Sequence, residues 1–324
     1  MGTVQTVSGE MDTAKLGTTL MHEHVFVLNM EIEENWPEDW DEEYRVNDAI
    51  EKLNNLTRLG VDSIVDPTVI GLGRYIPRIQ RIQDRTDLNI VVATGIYTYH
   101  DLPFYFHFRG PDTMLGGPEI MADMFVKDIE KGIADTGVRA GILKCVTEKD
   151  GLTPGVERVL RATAQAHRQT GVPITTHTDV ETFRGRDQQR VFREEGVRLD
   201  RVIIGHCGDS TDLDYLRELM DNGSTIGMDR FGLDLLCPFE ERVGTVAKLC
   251  AEGYADRMVL SHDAACFIDW FSEETKHEIA PNWHYEHIHN DVLPALREQG
   301  VTDEQIDLML VGNPRRIFEN VGAY

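Results

Sequence analysis

Two patterns of apolar and polar positions alternate along this chain of 324 residues. Short runs rich in valine, isoleucine and threonine occur at 18–26, 63–68, 89–97, 140–146, 172–178, 201–207, 224–230 and 257–263. Their composition and length predict β-strands rather than helices. The segments between them carry helical spacing: over 46–60, Ile50, Leu53, Leu56 and Leu59 return on one face of an amphipathic helix. Thr153 followed by Pro154 predicts a capped helix start. Gly60, Gly137, Gly171, Gly196, Gly223, Gly253 and Gly300 each close a predicted helix, at the position where a left-handed residue ends the spiral.

Strands separated by helices predict parallel pairing, since antiparallel neighbours need no helical crossover. An open doubly wound sheet would carry a glycine-rich phosphate loop after a strand, and neither GxGxxG nor GxxxxGK[ST] occurs. The expected fold is therefore α/β: a single (β/α)8 TIM barrel domain over 1–324, with a short strand pair at about 1–17 and long loops after strands 7 and 8. The strands end in polar residues: His22 and His24, Asp66, Thr94 and Tyr97, Lys144, His177, His206, Asp229 and Arg230, then His262 and Asp263. In such a barrel these ends converge on one pocket, where the active site lies.

The first of them belong to TLMHEHVFVL, where an extended strand would turn His22 and His24 to one face and Glu23 to the other. Four histidines and an aspartate at one mouth are nitrogen and oxygen donors suited to zinc or another first-row divalent ion. A single histidine near a strand end is ordinarily just hydrogen-bonded; five ligand types arriving together favour a metal. His262 and Asp263 are neighbours, so only one of them faces the pocket. Lys144, near the end of an apolar strand, is costly to bury unless paired or neutral, and a salt bridge to Asp66 or Asp229 is the plain alternative. His284, His287 and His289 lie in a late segment and are expected on a solvated face.

Composition narrows the function. Lys and Arg total 32 against 56 Asp and Glu, a formal net charge of −24. Such a surface repels phosphate backbones and anionic lipid, so neither nucleic acid nor membrane is an expected partner. Five widely spaced cysteines without a CxxC pair fit a reducing compartment. With no long apolar run and no signal-peptide layout, a cytoplasmic location is expected; MGTVQT matches the loose myristoylation pattern but reads as an alternating strand.

HEH on the first strand, lysine on the fourth, histidines on the fifth and sixth and HD on the eighth resemble the binuclear metal hydrolases of the amidohydrolase superfamily, and within it the phosphotriesterase family. LGTTLMHEH, IVDPTVIGLGR, ATGIYTYHDLPFYF, STIGMDRFGLDL and SHDAACFIDW resemble its lactonase branch, and the likeness runs over essentially the whole chain. The resemblance implies two divalent ions per chain, zinc or cobalt, iron or manganese. It assigns His22, His24 and Asp263 to the more buried ion and His177 and His206 to the more exposed one. Lys144, carboxylated by carbon dioxide to N6-carboxylysine, would bridge both. It further implies a lactonase that opens rings such as those of N-acyl-homoserine lactones (quorum quenching), with promiscuous organophosphate triesterase activity, and a homodimer. Activated water would attack, Asp263 would take the proton, and Tyr97 and Arg230 would order the carbonyl side.

Substrate contacts are expected from Tyr97, Tyr99, Arg230, Ala265, Phe267 and Trp270. Phe267, Ile268, Trp270 and Phe271, on the long connection 264–282, would line a channel for an acyl chain opposite 231–239. Ala265 stands where related lactonases carry cysteine, which leaves chain-length preference open. The alternatives are a primary organophosphate triesterase and a catalytically inactive barrel serving as a binding module. A metal-dependent nuclease is disfavoured by the charge and by lysine at 144.

Overall fold

The structure is a computed structural model that describes residues 2–37, 40–319 and 322–324. Twelve strands occur among them: β1 Thr3–Thr6, β2 Gly9–Asp12, β3 Thr19–Leu20, β4 His24–Val27, β5 Ser63–Asp66, β6 Asn89–Gly95, β7 Ile142–Thr147, β8 Ile174–Thr178, β9 Val202–Ile204, β10 Thr225–Met228, β11 Met258–Leu260 and β12 Ala265–Ile268. β1 and β2 form the antiparallel N-terminal pair. The strands β3, β5, β6, β7, β8, β9, β10 and β11 lie side by side in chain order, all parallel, with helices packed between them. This is the (β/α)8 barrel that the eight apolar runs predict. Every position of the central β7 and β8 is buried, as strands covered on both faces must be.

The seam between first and last strand is closed in two steps. Near the floor, Met21 N donates to Leu260 O at 3.4 Å. At the mouth, β4 pairs in parallel with β12, with His24 opposite Ala265 and Phe26 opposite Phe267. The expected continuous strand over 18–26 is thus interrupted at residues 21–23. Strand alternation survives the break, because Glu23 turns outward and ties the seam: it accepts from His262 N at 2.8 Å, His262 Nδ1 at 2.6 Å and Ala264 N at 3.1 Å. The glutamate inside HEH is a fully buried latch between the two ends of the barrel.

The helices follow their sequence signals. Helix Glu42–Arg58 buries Val46, Ala49, Ile50, Leu53 and Leu56, and Pro154–Thr170 starts at Thr153, whose side chain accepts from Val156 N. Six of the seven glycines stand within two residues of a helix end; Gly137 instead follows a turn well beyond the helix Ile120–Glu130. The connection 264–282 has structure of its own, β12 and the helix Glu273–Ile279. All five cysteines are buried and free. Among the described residues, no helix is long and apolar enough to cross a membrane.

Candidate active site

The barrel mouth brings together His22, His24, Lys144, His177, His206, Arg230 and Asp263 around a cavity of about 250 Å³. Lys144 and His177 project from β7 and β8; His206 and Asp263 lie just past β9 and β11. Both of these last residues hold left-handed backbone, with φ of 61° and 54°. That conformation costs an L-residue about 1–2 kcal/mol, so the surrounding contacts must impose it. For His206 one such contact is visible, since its N–H donates to Asp229 Oδ1 at 2.8 Å.

Each imidazole has an oxygen behind it, within hydrogen-bonding geometry for all but His22. His206 Nδ1 lies 2.9 Å from Asp229 Oδ1, and His22 Nδ1 lies 3.3 Å from Asp229 Oδ2. His24 Nδ1 is 2.7 Å from Thr68 Oγ1, whose hydroxyl in turn donates to Asp66 Oδ1. His177 Nε2 is 2.7 Å from Glu148 Oε1. The oxygens bonded to His24, His177 and His206 fix the tautomers of those rings, each outer nitrogen carrying the proton and each inner one presenting its lone pair, whereas His22 Nδ1 and Asp229 Oδ2 lie close without a hydrogen bond. The inner nitrogens converge: His22 and His24 Nε2 lie 3.4 and 3.2 Å from Asp263 Oδ1, and His206 Nε2 lies 3.0 Å from His177 Nδ1.

Electrostatics point the same way. Burial lowers the pKa of His22 and His206 and takes His177 down to about 4, so these rings are neutral donors at pH 7. Burial alone would raise Asp263, but His206, His22, His24 and Arg230 hold it well below the ordinary carboxylate range. His24 runs the other way: burial acts to lower its pKa, but Asp263 and Asp66 beside it raise it, so this ring competes for a proton with any cation. Three neutral imidazoles and an ionised carboxylate converging are nonetheless a donor set for a divalent cation. His22, His24 and Asp263 form one such group, and His22, His206 and Asp229 another.

Lys144 is 1% exposed, and burial lowers its pKa to about 8. Its ammonium nitrogen lies 3.1 Å from His22 Nε2. The salt-bridge alternatives are otherwise engaged, Asp66 with Thr68 and Asp229 with His206 and His22. A cation facing an imidazole lone pair deep in the barrel is poorly compensated, and a neutral amine is within reach near pH 8.

Above this floor, Tyr97 OH bonds Tyr99 OH at 2.7 Å and lies 3.3 Å from His177 Nδ1. Arg230 reaches Asp263 Oδ2 through Nε at 2.9 Å and Asp209 Oδ2 through Nη1 at 3.1 Å. The walls are apolar: Leu233, Leu235 and Leu236 on one side, Ala265, Ile268, Trp270, Phe271 and Ile279 on the other. The two loops meet where Asn282 Nδ2 donates to Asp234 Oδ2 at 2.9 Å and where Gly232, at φ 96°, passes so near Asn282 O that a Cβ would sit 2.2 Å from it.

Phe267 is the exception among the expected lining residues. It lies outside this cavity, its ring 5.8 Å from Trp40 and under the Arg45 guanidinium at 3.6 Å. Four apolar side chains within 267–271 cannot share one face of an extended segment, so one of them is left to a neighbouring cleft of about 560 Å³. That cleft, and another of about 490 Å³ beside Lys52 and Lys276, do not reach the imidazole cluster. Of the late histidines His284 is exposed as expected, but two depart from expectation: His287 is buried and paired with Asp291 at 2.8 Å, and burial takes half-buried His289 down to about 4. His262 turns away from the pocket as expected, its Nε2 accepting from Ile288 N at 2.9 Å.

Sequence reasoning missed the supports Thr68, Glu148, Asp209 and Trp283, whose indole donates to the backbone oxygens of His262 and Asp263. Only Asp209 left a local trace, three residues after His206 in HCGD.

The family model described as the phosphotriesterase family matches residues 2–318. The solved structure of the phosphotriesterase from Mycobacterium tuberculosis is 64% identical and superposes with a TM-score of 0.98, covering 99% of this chain and 100% of that one. An aryldialkylphosphatase of Saccharolobus solfataricus is 39% identical over 310 residues, 95% of this chain and 96% of its own length. A solved structure from the engineering of organophosphate hydrolysis activity on a weak promiscuous lactonase template is 35% identical, with a TM-score of 0.89 over 98% of this chain and 99% of that one.

Proposed function

This chain belongs to the phosphotriesterase family of hydrolases, and from that premise we propose that it opens lactone rings, N-acyl-homoserine lactones first among them, with organophosphate triester hydrolysis as a secondary activity. The observation that carries the reading is the division of one small cavity into a polar floor and an apolar wall. An ester ring would sit over the imidazoles while an acyl tail runs along Leu233, Leu236, Ile268 and Trp270.

His22, His24 and Asp263 would hold one divalent ion and His177 and His206 a second, with Lys144 between them. The lysine would serve as a carbamate: its neutral amine adds to carbon dioxide and loses a proton, which turns an awkward cation into a two-oxygen anionic ligand. Bound there, zinc, cobalt, iron or manganese would polarise the ester carbonyl and lower the pKa of the attacking water.

The chain's own groups do the rest. Asp263 accepts the proton of the attacking water and returns it to the ring oxygen as that oxygen leaves. Arg230 fixes Asp263 Oδ2 and keeps the carboxylate ionised and oriented. Burial keeps the Tyr97 hydroxyl protonated, so it can donate to the carbonyl oxygen as charge gathers there. Tyr99 supports it through the bond between their hydroxyls. We place this chemistry in a single-domain cytoplasmic homodimer.

The reading is tested by comparing kcat/KM for a series of acyl-homoserine lactones with that for a paraoxon-like triester, alongside metal analysis of the purified protein. Lactones are expected to be favoured. A triester preferred over every lactone would instead make the triesterase activity primary, the reading that the similarity to an aryldialkylphosphatase supports.

A further inference from the structure

Among the described residues Arg242 is the largest whose side chain is fully buried, and nothing in the chemistry above uses it. It lies in the helix Phe239–Ala251, immediately after the loop that carries Leu233, Leu235 and Leu236. Its Nη1 meets Asp209 Oδ1 at 2.7 Å. Its Nη2 donates to the backbone oxygens of Leu233 at 3.3 Å and Cys237 at 3.4 Å. Asp209 gives its other oxygen to Arg230, and Arg230 reaches Asp263. A row of alternating charges thus runs from the pocket floor, Asp263, Arg230, Asp209, Arg242, and its last member grips both ends of the leucine loop.

We propose that Arg242 is a positioning residue that couples the leucine wall of the pocket to Asp263, setting the room available to a substrate's tail and the orientation of Arg230 together. The proposal rests on the cavity being the substrate site and does not depend on whether that substrate is a lactone or a triester. A planar guanidinium has separate donors for a carboxylate and for two carbonyls; an ammonium concentrates its donors at one point and cannot serve all three. A cation withdrawn from water with its carboxylate adds little net stability, so its geometry, not its energy, is what points to a positioning role.

The test uses the metal-loaded enzyme with Arg242→Lys and Arg242→Met. Short- and long-tailed members of both a lactone and a triester series are measured, together with amide hydrogen exchange over 231–238. For Arg242→Lys, which keeps a cation on Asp209 but loses the carbonyl grip, exchange over 231–238 should quicken by about tenfold, and KM for long-tailed substrates should rise by about tenfold, more than any change in kcat. For Arg242→Met, which also frees Asp209 and with it Arg230, kcat on short-tailed substrates should fall by a further tenfold or about that. Should the methionine variant not fold, the lysine variant decides alone. A folded Arg242→Lys with unchanged exchange over 231–238 and an unchanged ratio of long- to short-tailed KM overturns the proposal. Absence of lactone turnover by the parent enzyme, with the triester series behaving as described, overturns the lactone reading and leaves Arg242 in its role.

Discussion

On the pocket floor His24, His177 and His206 are each gripped from behind by a hydrogen-bonding oxygen, at 2.7 to 2.9 Å, and His22 faces Asp229 at 3.3 Å. The wall facing it is built otherwise: Leu235 and Leu236 are 61% and 46% exposed, on a loop secured through Asn282 and Arg242. A floor so fixed keeps reacting groups within a few tenths of an ångström of one geometry, which is what ligation and proton transfer require. An apolar wall needs only to exclude water around a tail, and its contacts can be exchanged at small cost. Chemistry should therefore be lost steeply when the floor is cut, and specificity gradually when the wall is.

The deepest cut is at Lys144. Lys144→Ala should lower metal content to below half of the parent value and activity by about a thousandfold or more; metal content is read by elemental analysis. In the parent protein, metal returned after stripping should restore activity faster with bicarbonate than in carbon-dioxide-depleted buffer. Equal rates, with intact metal binding in Lys144→Ala, would remove the carbamate.

Asp263→Asn comes next. It keeps the shape but loses the proton acceptor and the charge on Arg230, so kcat should fall by about 10²–10⁴ while circular dichroism stays unchanged. Near-parental kcat would send the proton elsewhere. Glu148→Gln tests the supports: it still accepts from His177 but without charge, and metal affinity measured by chelator competition should weaken by about tenfold. An unaltered affinity would make Glu148 a bystander.

The smallest effect belongs to the wall. Trp270→Ala should raise KM for long acyl chains by about tenfold, the equivalent of about 1.4 kcal/mol of buried ring, and leave short chains within about twofold. Equal effects on both would place the tail away from Trp270.

The same contrast explains what could be read from the residues in order. Strand existence, the helix starting at Thr153 and the convergence of His22, His24, Lys144, His177, His206 and Asp263 follow from local pattern, because strand ends project their side chains in a fixed way. The supports do not. Thr68, Glu148 and Trp283 act across 44, 29 and 20 to 21 residues, and a threonine or glutamate in a loop carries no sign of the ring it will face. Side chains of the long connections are harder still: Phe267, in β12, leaves the channel because Trp40 and Arg45 offer its ring a partner that no periodicity announces. His287 is buried for the same reason, packed on Phe239 at the start of the helix Phe239–Ala251.

Glu23 reaches the backbone of His262 across 239 residues of chain. The latch thus joins the first part of the barrel to be synthesised to the last. Loop closure over such a distance is slow and is repaid only when the seam forms. His22 and His24 flank Glu23, and Asp263 adjoins its partner, so the group His22, His24 and Asp263 is complete only once the latch has shut. A nascent chain carrying every residue up to 250 already holds His22, His206 and Asp229 but not Asp263. Of the two groups, the one at the seam would then be the last to form, and cutting the chain in the connection before β11 should cost that group its carboxylate.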